Sequence, residues 1–300
     1  MKNTKVHIAL IVVVLAAVIG VVSFSGGSSN LGQAAQSKNE SKVKTTSRVA
    51  DRPSSTTAKA STVAFAAAAS RNAALRNELT WTFGGKQQRG WSLYELLINK
   101  TLKTPEDAGT SDFASAVAAW QKRSGLSADG VLDEDSLMRL VSLWQSSRLK
   151  NRTPATPDQL VMAPASDFYD PSRAAELRQV ERNTYAAYKR MIAAALADPT
   201  LKLAPGNKYF KIISAFRSRE YQDELRRRSP NAGSAGLAVN SPHFTGRALD
   251  IYVGGDPVDT KDSNRAIQVD TPAYRWLVRN AERFGFRPYF YEPWHWEYVG

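Results

Sequence analysis

The chain holds three histidines, and two of them stand close to carboxylates at spacings that could do chemistry. His243 is followed seven positions later by Asp250, in Ser241-Pro242-His243-Phe244-Thr245-Gly246-Arg247-Ala248-Leu249-Asp250. His295 is preceded three positions earlier by Glu292, in Glu292-Pro293-Trp294-His295. A hydrolytic zinc site needs three N or O ligands from the protein and one position left for water. It also needs a carboxylate, not itself a ligand, to take the proton from that water. His243, Asp250 and His295 as ligands with Glu292 as base fill those roles. Gly246 would let the backbone bend between the first two ligands, and an extended run from Ala248 to Val253 would hold Asp250. Pro293 argues against a helix across Glu292–His295, so the pattern differs from the helical HExxH of other zinc peptidases. His7 sits at the edge of an apolar segment and has no part in this arrangement.

These motifs resemble those of the VanY-type D-alanyl-D-alanine carboxypeptidases. That family is grouped with VanX dipeptidases, wall-lytic L-alanyl-D-glutamate endopeptidases and the hedgehog-like zinc domain. Ser241, His243, Gly246, Ala248 and Asp250 match SxHxxGxAxD. Glu292, Trp294 and His295 match ExWH, within a C-terminal Tyr291–Gly300 stretch of the same kind. Ser214-Ala215-Phe216-Arg217-Ser218 followed by Gln222 is similar to the upstream S-G-[YF]-R-S…Q element, departing from it at Ala215. The resemblance covers about Tyr209 to Gly300, with weaker support back to Pro171.

It implies Zn2+ as cofactor, ligated by His243, Asp250 and His295, with Glu292 as general base. Arg217 then faces the scissile carbonyl, where a guanidinium would stabilise the oxyanion. Ser241, Gln222 and Trp294 become candidate substrate-binding residues. The implied substrate is the peptidoglycan stem peptide, with removal of the terminal D-Ala. An L,D-carboxypeptidase, an endopeptidase at L-Ala–D-Glu or a cross-link, and a non-catalytic wall-binding scaffold are the alternatives.

The elements that must position these residues fall into a C-terminal unit, 169–300. A long amphipathic helix is expected after Pro171, carrying Leu177, Val180, Tyr185, Tyr188, Met191 and Ile192 until Asp198-Pro199. Lys211–Phe216 and Ala248–Val253 read as short strands, and Arg217–Arg228 as a helix. Asp270 or Thr271 is expected to cap a helix with Pro272 in its first turn and Gly285 at its end. The reading is α+β: a small antiparallel sheet with flanking helices around a zinc site.

Ahead of it, 63–149 reads as a small, mainly helical unit. Phe113, Val117 and Trp120 keep one helical face, Gly125 closes that helix, and Asp133 caps another. Ala116–Gln121, Gly125-Leu126, Asp129-Gly130-Val131 and Ser136-Leu137 resemble the peptidoglycan-binding helical domain found on wall hydrolases, which implies a cell-wall polymer as partner. Residues 150–168, with three prolines, read as a linker, and 25–62, poor in large apolar residues, as a flexible tether.

Residues 1–24 hold two lysines and then an uncharged run, Ile8–Val22. It reads either as a membrane anchor near the short end of spanning length or as a cleaved signal segment. Both place the remainder outside the cytoplasm. The absence of cysteine excludes a disulfide framework, a cysteine nucleophile and a lipid-modified N-terminal cysteine. The net charge of +12 comes without a nucleic-acid-binding signature and suits an anionic wall or membrane surface, so nucleic acid is not expected as a partner.

Overall fold

The computed structural model describes residues 65–228 and 240–300. The expected anchor (1–24) and tether (25–62) lie outside the described residues. Among those described, no helix is long and apolar enough to cross a membrane.

The first part of the chain builds helix α1 (Ala66–Glu78), strands β1 (Thr80–Phe83) and β2 (Lys86–Arg89), and helices α2 (Glu95–Leu102), α3 (Ser111–Arg123) and α4 (Glu134–Ser146). Thr110 caps α3 by accepting from Phe113 N–H, and Asp133 caps α4 by accepting from Ser136 N–H, which satisfies amide groups that the first helical turn leaves unpaired. Phe113, Val117 and Trp120 are buried on one face of α3. The hairpin was not expected: β1 and β2 pair antiparallel around Gly84 and Gly85, both with positive φ, a two-residue turn that suits strand twist.

Part of the peptidoglycan-binding resemblance serves this unit's interior: Gln121, Val131, Ser136 and Leu137 are buried, whereas Ala119, Gly125 and Asp129 are exposed. The Gln121 side chain donates to Asp129 Oδ1, Val131 O and Ser136 Oγ and accepts from Gly130 N–H. These bonds tie α3 to the start of α4.

The segment 150–168, expected as a linker, carries structure. It contributes β3 (Leu160–Met162), which pairs with β4 (Gln179–Glu181). That pairing also corrects the long helix expected after Pro171. Val180 keeps helical spacing with its neighbours in sequence but lies buried in β4, and helix α5 begins only at Arg182. Glu181 caps α5, accepting from Asn183 and Thr184 N–H. The helix then runs to Leu196, with Ala187, Tyr188, Met191 and Ala195 buried.

The site stands on a four-stranded antiparallel sheet in the order β5 (Ile212–Ser214), β6 (Ala248–Ile251), β8 (His295–Tyr298), β7 (Phe286–Pro288). Around it lie α6 (Arg219–Arg228), α7 (Asp262–Asp270) and α8 (Pro272–Asn280). Thr271 caps α8 with Pro272 in its first turn, as expected. The fold is α+β with small antiparallel sheets.

The buried side chains form one continuous cluster, from Trp81 and Trp91 through Phe113 and Trp144 to Phe290, Trp294 and Trp296. The N-terminal part therefore shares its core with the C-terminal part. Phe83 meets Phe290 with ring centroids 4.7 Å apart, and Tyr94 meets Phe290 at 5.3 Å. Polar contacts cross the same boundary: Arg265 donates to Tyr94 Oη at 2.9 Å, and Lys100 to Val278 O at 2.8 Å.

Candidate metal centre

Strand register brings the first two groups together. On β6, Asp250 stands opposite Ser214 of β5 and opposite His295 of β8. Directly opposed residues share a sheet face at close range, and Asp250 Oδ1 lies 3.0 Å from His295 Nδ1. His243 arrives from a 3-10 turn, Pro242–Thr245, just before β6. Ser241 caps that turn by accepting from His243 N–H, and Gly246 ends it in the left-handed region at φ 64°. A Cβ at 246 would sit 2.8 Å from Glu181 N and 3.0 Å from Leu160 Cδ2, so the β3–β4 hairpin presses on the ligand turn where only glycine fits. Ser241, expected as a substrate contact, is fully buried and acts here as the cap that shapes the turn.

His243, Asp250 and His295 are all fully buried, and one ligand atom from each lies within 4.8 Å of the others. The hydrogen bonds fix which atoms are free. His243 Nδ1 lies 2.7 Å from the carbonyl of Ala215; a carbonyl only accepts, so Nδ1 carries the proton and Nε2 keeps its lone pair. That Nε2 makes no hydrogen bond among the described residues and faces Asp250 Oδ2 at 3.4 Å; with Nδ1 protonated, two lone-pair atoms are turned towards each other, an unfavourable state that a cation between them relieves. His295 Nε2 lies 3.2 Å from Glu297 Oε1 and donates to it, leaving Nδ1 towards Asp250. Both imidazoles are thus held from behind by an acceptor, as metal-ligating histidines usually are. The donor set fits a divalent ion, and two imidazoles with one carboxylate are what zinc takes in hydrolytic centres.

Charges in the cluster follow from burial and from these contacts. Burial and the Arg217 guanidinium push His243 down to about 4, against the pull of Asp250. Burial also opposes charge on His295, but its bonds to Asp250 and Glu297 overcome this and raise it to about 9. Asp250 stays well below the ordinary carboxylate range: burial works against the anion, but His243, His295 and Arg217 outweigh it. At neutral pH the metal-free protein therefore carries one proton on His295 that an incoming cation must displace, and none on His243.

Because the cation and that proton compete for Nδ1, affinity for Zn2+ is expected to climb at least ten-fold per pH unit from pH 7 to about 9, more steeply below about 8 where Glu292 also loses a proton on binding, and then to level off. Competition with a chromophoric chelator measures this. An affinity flat across that range would contradict the assigned hydrogen bonds.

Glu292 lies in the turn joining β7 to β8. His295 N–H donates to Glu292 O at 2.9 Å, with Pro293 and Trp294 between them, which is the hydrogen bond of a β-turn. This turn sets the three-residue spacing seen in the sequence. Glu292 is buried, and neither carboxylate oxygen has a hydrogen-bond partner among the described residues. Burial pushes its carboxyl up to about 8 in the metal-free protein, even though His295, Arg148 and Arg217 pull it down. A dication beside it lowers that value.

Arg217, buried, donates from Nη2 to Asp250 Oδ2 at 2.8 Å and from Nε to Ser214 Oγ at 3.0 Å, while Nη1 has no partner among the described residues. The side chain is locked by the ligand it pairs with, and one donor remains available. Gln222 on α6 and Trp294 are likewise buried, with the whole Gln222 amide and Trp294 Nε1 unpartnered. Unsatisfied buried polar atoms are scarce in proteins; among the described residues Arg217, Gln222, His243, Glu292 and Trp294 carry seven of them, and others lie elsewhere, on Trp91, Arg178 and Gln268 among them. A separate open cleft of about 410 Å³, lined in part by Gln159, Glu181 and Arg247, holds none of these residues.

The sequence had not pointed to Glu297, the acceptor behind His295, or to the Ala215 carbonyl behind His243. Glu297 is two residues from His295 on β8, and the period of a strand puts i and i+2 on one face.

A buried cluster of two histidines and an aspartate able to hold a metal ion, with a glutamate three residues before one of them, has the residue types a metallopeptidase centre needs. Residues 177–300 match the model of the VanY family, D-alanyl-D-alanine carboxypeptidase, and this part of the chain is a VanY-type peptidase domain. Among solved structures the chain is similar to the LdcB LD-carboxypeptidase, described as revealing the molecular basis of peptidoglycan recognition. That match has 24% identity over 49% of this chain and 70% of the other, with a TM-score of 0.37. It is also similar to VanYB in complex with D-alanine-D-alanine, at 26% identity over 41% and 72%, TM-score 0.29. A third is a point variant of the vancomycin-resistance D,D-pentapeptidase VanY in complex with Zn(II), at 22% identity over 52% and 89%, TM-score 0.32. No curated protein sequence matches the chain.

Proposed function

We propose that this protein is a zinc-dependent D-alanyl-D-alanine carboxypeptidase that trims the stem peptides of peptidoglycan outside the cytoplasm. The observation that carries this reading is Glu292, a buried carboxylate with no hydrogen-bond partner among the described residues, beside three groups able to hold a cation. His243, Asp250 and His295 would hold Zn2+, which would supply Lewis acidity to polarise the scissile carbonyl and to acidify a water towards a pKa of ~7.

The remaining work falls to side chains of the chain. Glu292 accepts a proton from the attacking water as the new C–O bond forms. It returns that proton to the amide nitrogen as the C–N bond breaks, so the products are a shortened peptide and free D-alanine. Arg217, held by Asp250 and Ser214, offers its free Nη1 to the negative charge developing on the carbonyl oxygen. Gln222 and Trp294 offer unpartnered donors, and Gln222 an acceptor, to the peptide groups or terminal carboxylate of the substrate.

The apolar run Ile8–Val22 supports export, with the chain anchored in or released from the membrane. The N-terminal unit would hold the enzyme on cell-wall polymer and raise the local concentration of stems.

Incubation of the exported chain with pentapeptide-bearing muropeptides tests the reading by product mass. Loss of one terminal alanine, abolished by a chelator and restored by Zn2+, is the expected result. Trimming of tetrapeptides alone, or cleavage at L-Ala–D-Glu or a cross-link, would reassign the bond. Unchanged substrate with the metal fully loaded would make the protein a wall-binding scaffold.

A further inference from the structure

The acceptor behind His295 is itself held by the N-terminal half of the chain. Glu297 is fully buried, and each of its carboxylate oxygens is taken. Oε1 receives Arg148 Nε at 3.1 Å, Arg148 Nη2 at 2.5 Å and His295 Nε2 at 3.2 Å. Oε2 receives the backbone N–H of Leu149 at 2.8 Å. Arg148 and Leu149 directly follow α4 and its cap, Ser147. The guanidinium is itself fixed, stacked 3.9 Å from the centroid of the Tyr289 ring and bonded to Gln145 Oε1 at 3.0 Å.

The same half of the chain clasps the loop that carries Glu292. Phe83, Tyr94 and Trp144 all pack on Phe290, and Phe83 also on Tyr291, 5.5 Å away. Arg265 joins both sides, donating to Tyr94 Oη and to Tyr291 O.

We propose that the N-terminal unit is a working part of the metal centre, with Arg148 as the positioning residue that orients Glu297 and, through it, His295. A carboxylate facing an imidazole N–H alone can rotate and share itself among water and other donors. With both oxygens committed, Glu297 can accept from His295 in one orientation only, which aims Nδ1 at the ion position. Groups behind a ligating histidine commonly change metal affinity by about 10–100-fold when removed. Coupling through one carboxylate also makes the effect reciprocal: occupancy of the ion position must tighten the grip of α4 on β8.

The inference rests on the metal reading above, and the test separates the two. Zn2+ affinity of the full exported chain is measured by chelator competition for wild type, Arg148→Lys, Arg148→Met and Glu297→Gln, with the d–d spectrum of Co2+ as a report on ligand geometry. Arg148→Met and Glu297→Gln are expected to weaken binding about ten-fold or more and to alter the Co2+ spectrum. Arg148→Lys should recover part of both. The double variant should be little worse than either single one. In wild type, Zn2+ is expected to slow hydrogen exchange at the Leu149 amide.

Wild type that binds no Zn2+ would sink the metal reading itself. Wild type that binds while folded Arg148→Met binds equally tightly, with an unchanged Co2+ spectrum, would overturn only the role given to Arg148. Should Arg148→Met not fold, an exchange rate at Leu149 indifferent to Zn2+ would overturn it instead.

Discussion

Replacing Glu292 with glutamine is expected to lower kcat ~10³-fold, as loss of a general base does, while Zn2+ content stays at one ion per chain. The side chain keeps its shape, so the turn to His295 is preserved. Only the ability to take and return the proton is lost. KM should move much less than kcat, because in the proposed mechanism Glu292 acts on the reacting water and not on the binding of the stem peptide.

Stability of the metal-free protein should change with pH in a way that a catalytic defect alone would not produce. The Glu292 carboxyl is raised from its ordinary 4.5 to about 8 in the folded chain. Between those values the folded state binds more protons than the unfolded one, so stability falls as pH rises. The penalty is absent below about 4.5, grows up to about 8 and is constant above. Glu292→Gln has no such charge to bury. It should match the metal-free wild type in urea denaturation at low pH and exceed it at pH 8. Equal stabilities at both ends would show that Glu292 is not held away from solvent.

The second large effect is expected at Asp250. Its removal in Asp250→Ala takes one of three ligands from the metal and leaves Arg217 buried without its partner. Zn2+ binding should fall below detection. The metal-free protein should also lose roughly 3 to 5 kcal/mol in urea denaturation, the usual result of stranding one charge of a buried pair. Pairing the substitution with Arg217→Met should return much of the lost stability and none of the metal binding. If Asp250→Ala alone kept full stability, the Arg217–Asp250 contact at 2.8 Å would be a weak surface-like pair and not the lock described above.

The chemistry of the site was more legible in the sequence than its support. His243, Asp250, His295 and Glu292 stood out because a hydrolytic centre needs those residue types, and the part of the chain beyond the apolar N-terminal run offers two histidines. The structure brings ligand atoms of His243, Asp250 and His295 within 4.8 Å of one another, with Glu292 in the turn that leads into β8. Glu297 could have been found, since alternation along an extended segment places residue 297 beside 295.

Arg148 could not. It acts on a carboxylate 149 positions away, and local pattern carries no information about which distant strand a helix end will meet. The Ala215 carbonyl is backbone and has no signature of its own.

Elements were misread where local spacing fits two periods. Val180 lies on the apolar stripe of an imagined helix, yet pairing with β3 takes it into a strand. The polar run Lys86–Arg89 hid β2, because a strand with three exposed residues out of four has no apolar alternation to display. The N-terminal half was read as a separate domain because its apolar residues looked sufficient for a small core. In the folded chain Phe83, Tyr94 and Trp144 face Phe290, and the two halves bury one cluster.

The most direct test of this account is diffraction from crystals of the Zn2+-loaded chain, with anomalous differences collected on either side of the zinc absorption edge. One peak is expected, within bonding distance of His243 Nε2, an Asp250 carboxylate oxygen and His295 Nδ1, with Glu292 nearby but not coordinating. A peak elsewhere, or histidine side chains turned to separate partners with no ion between them, would contradict it.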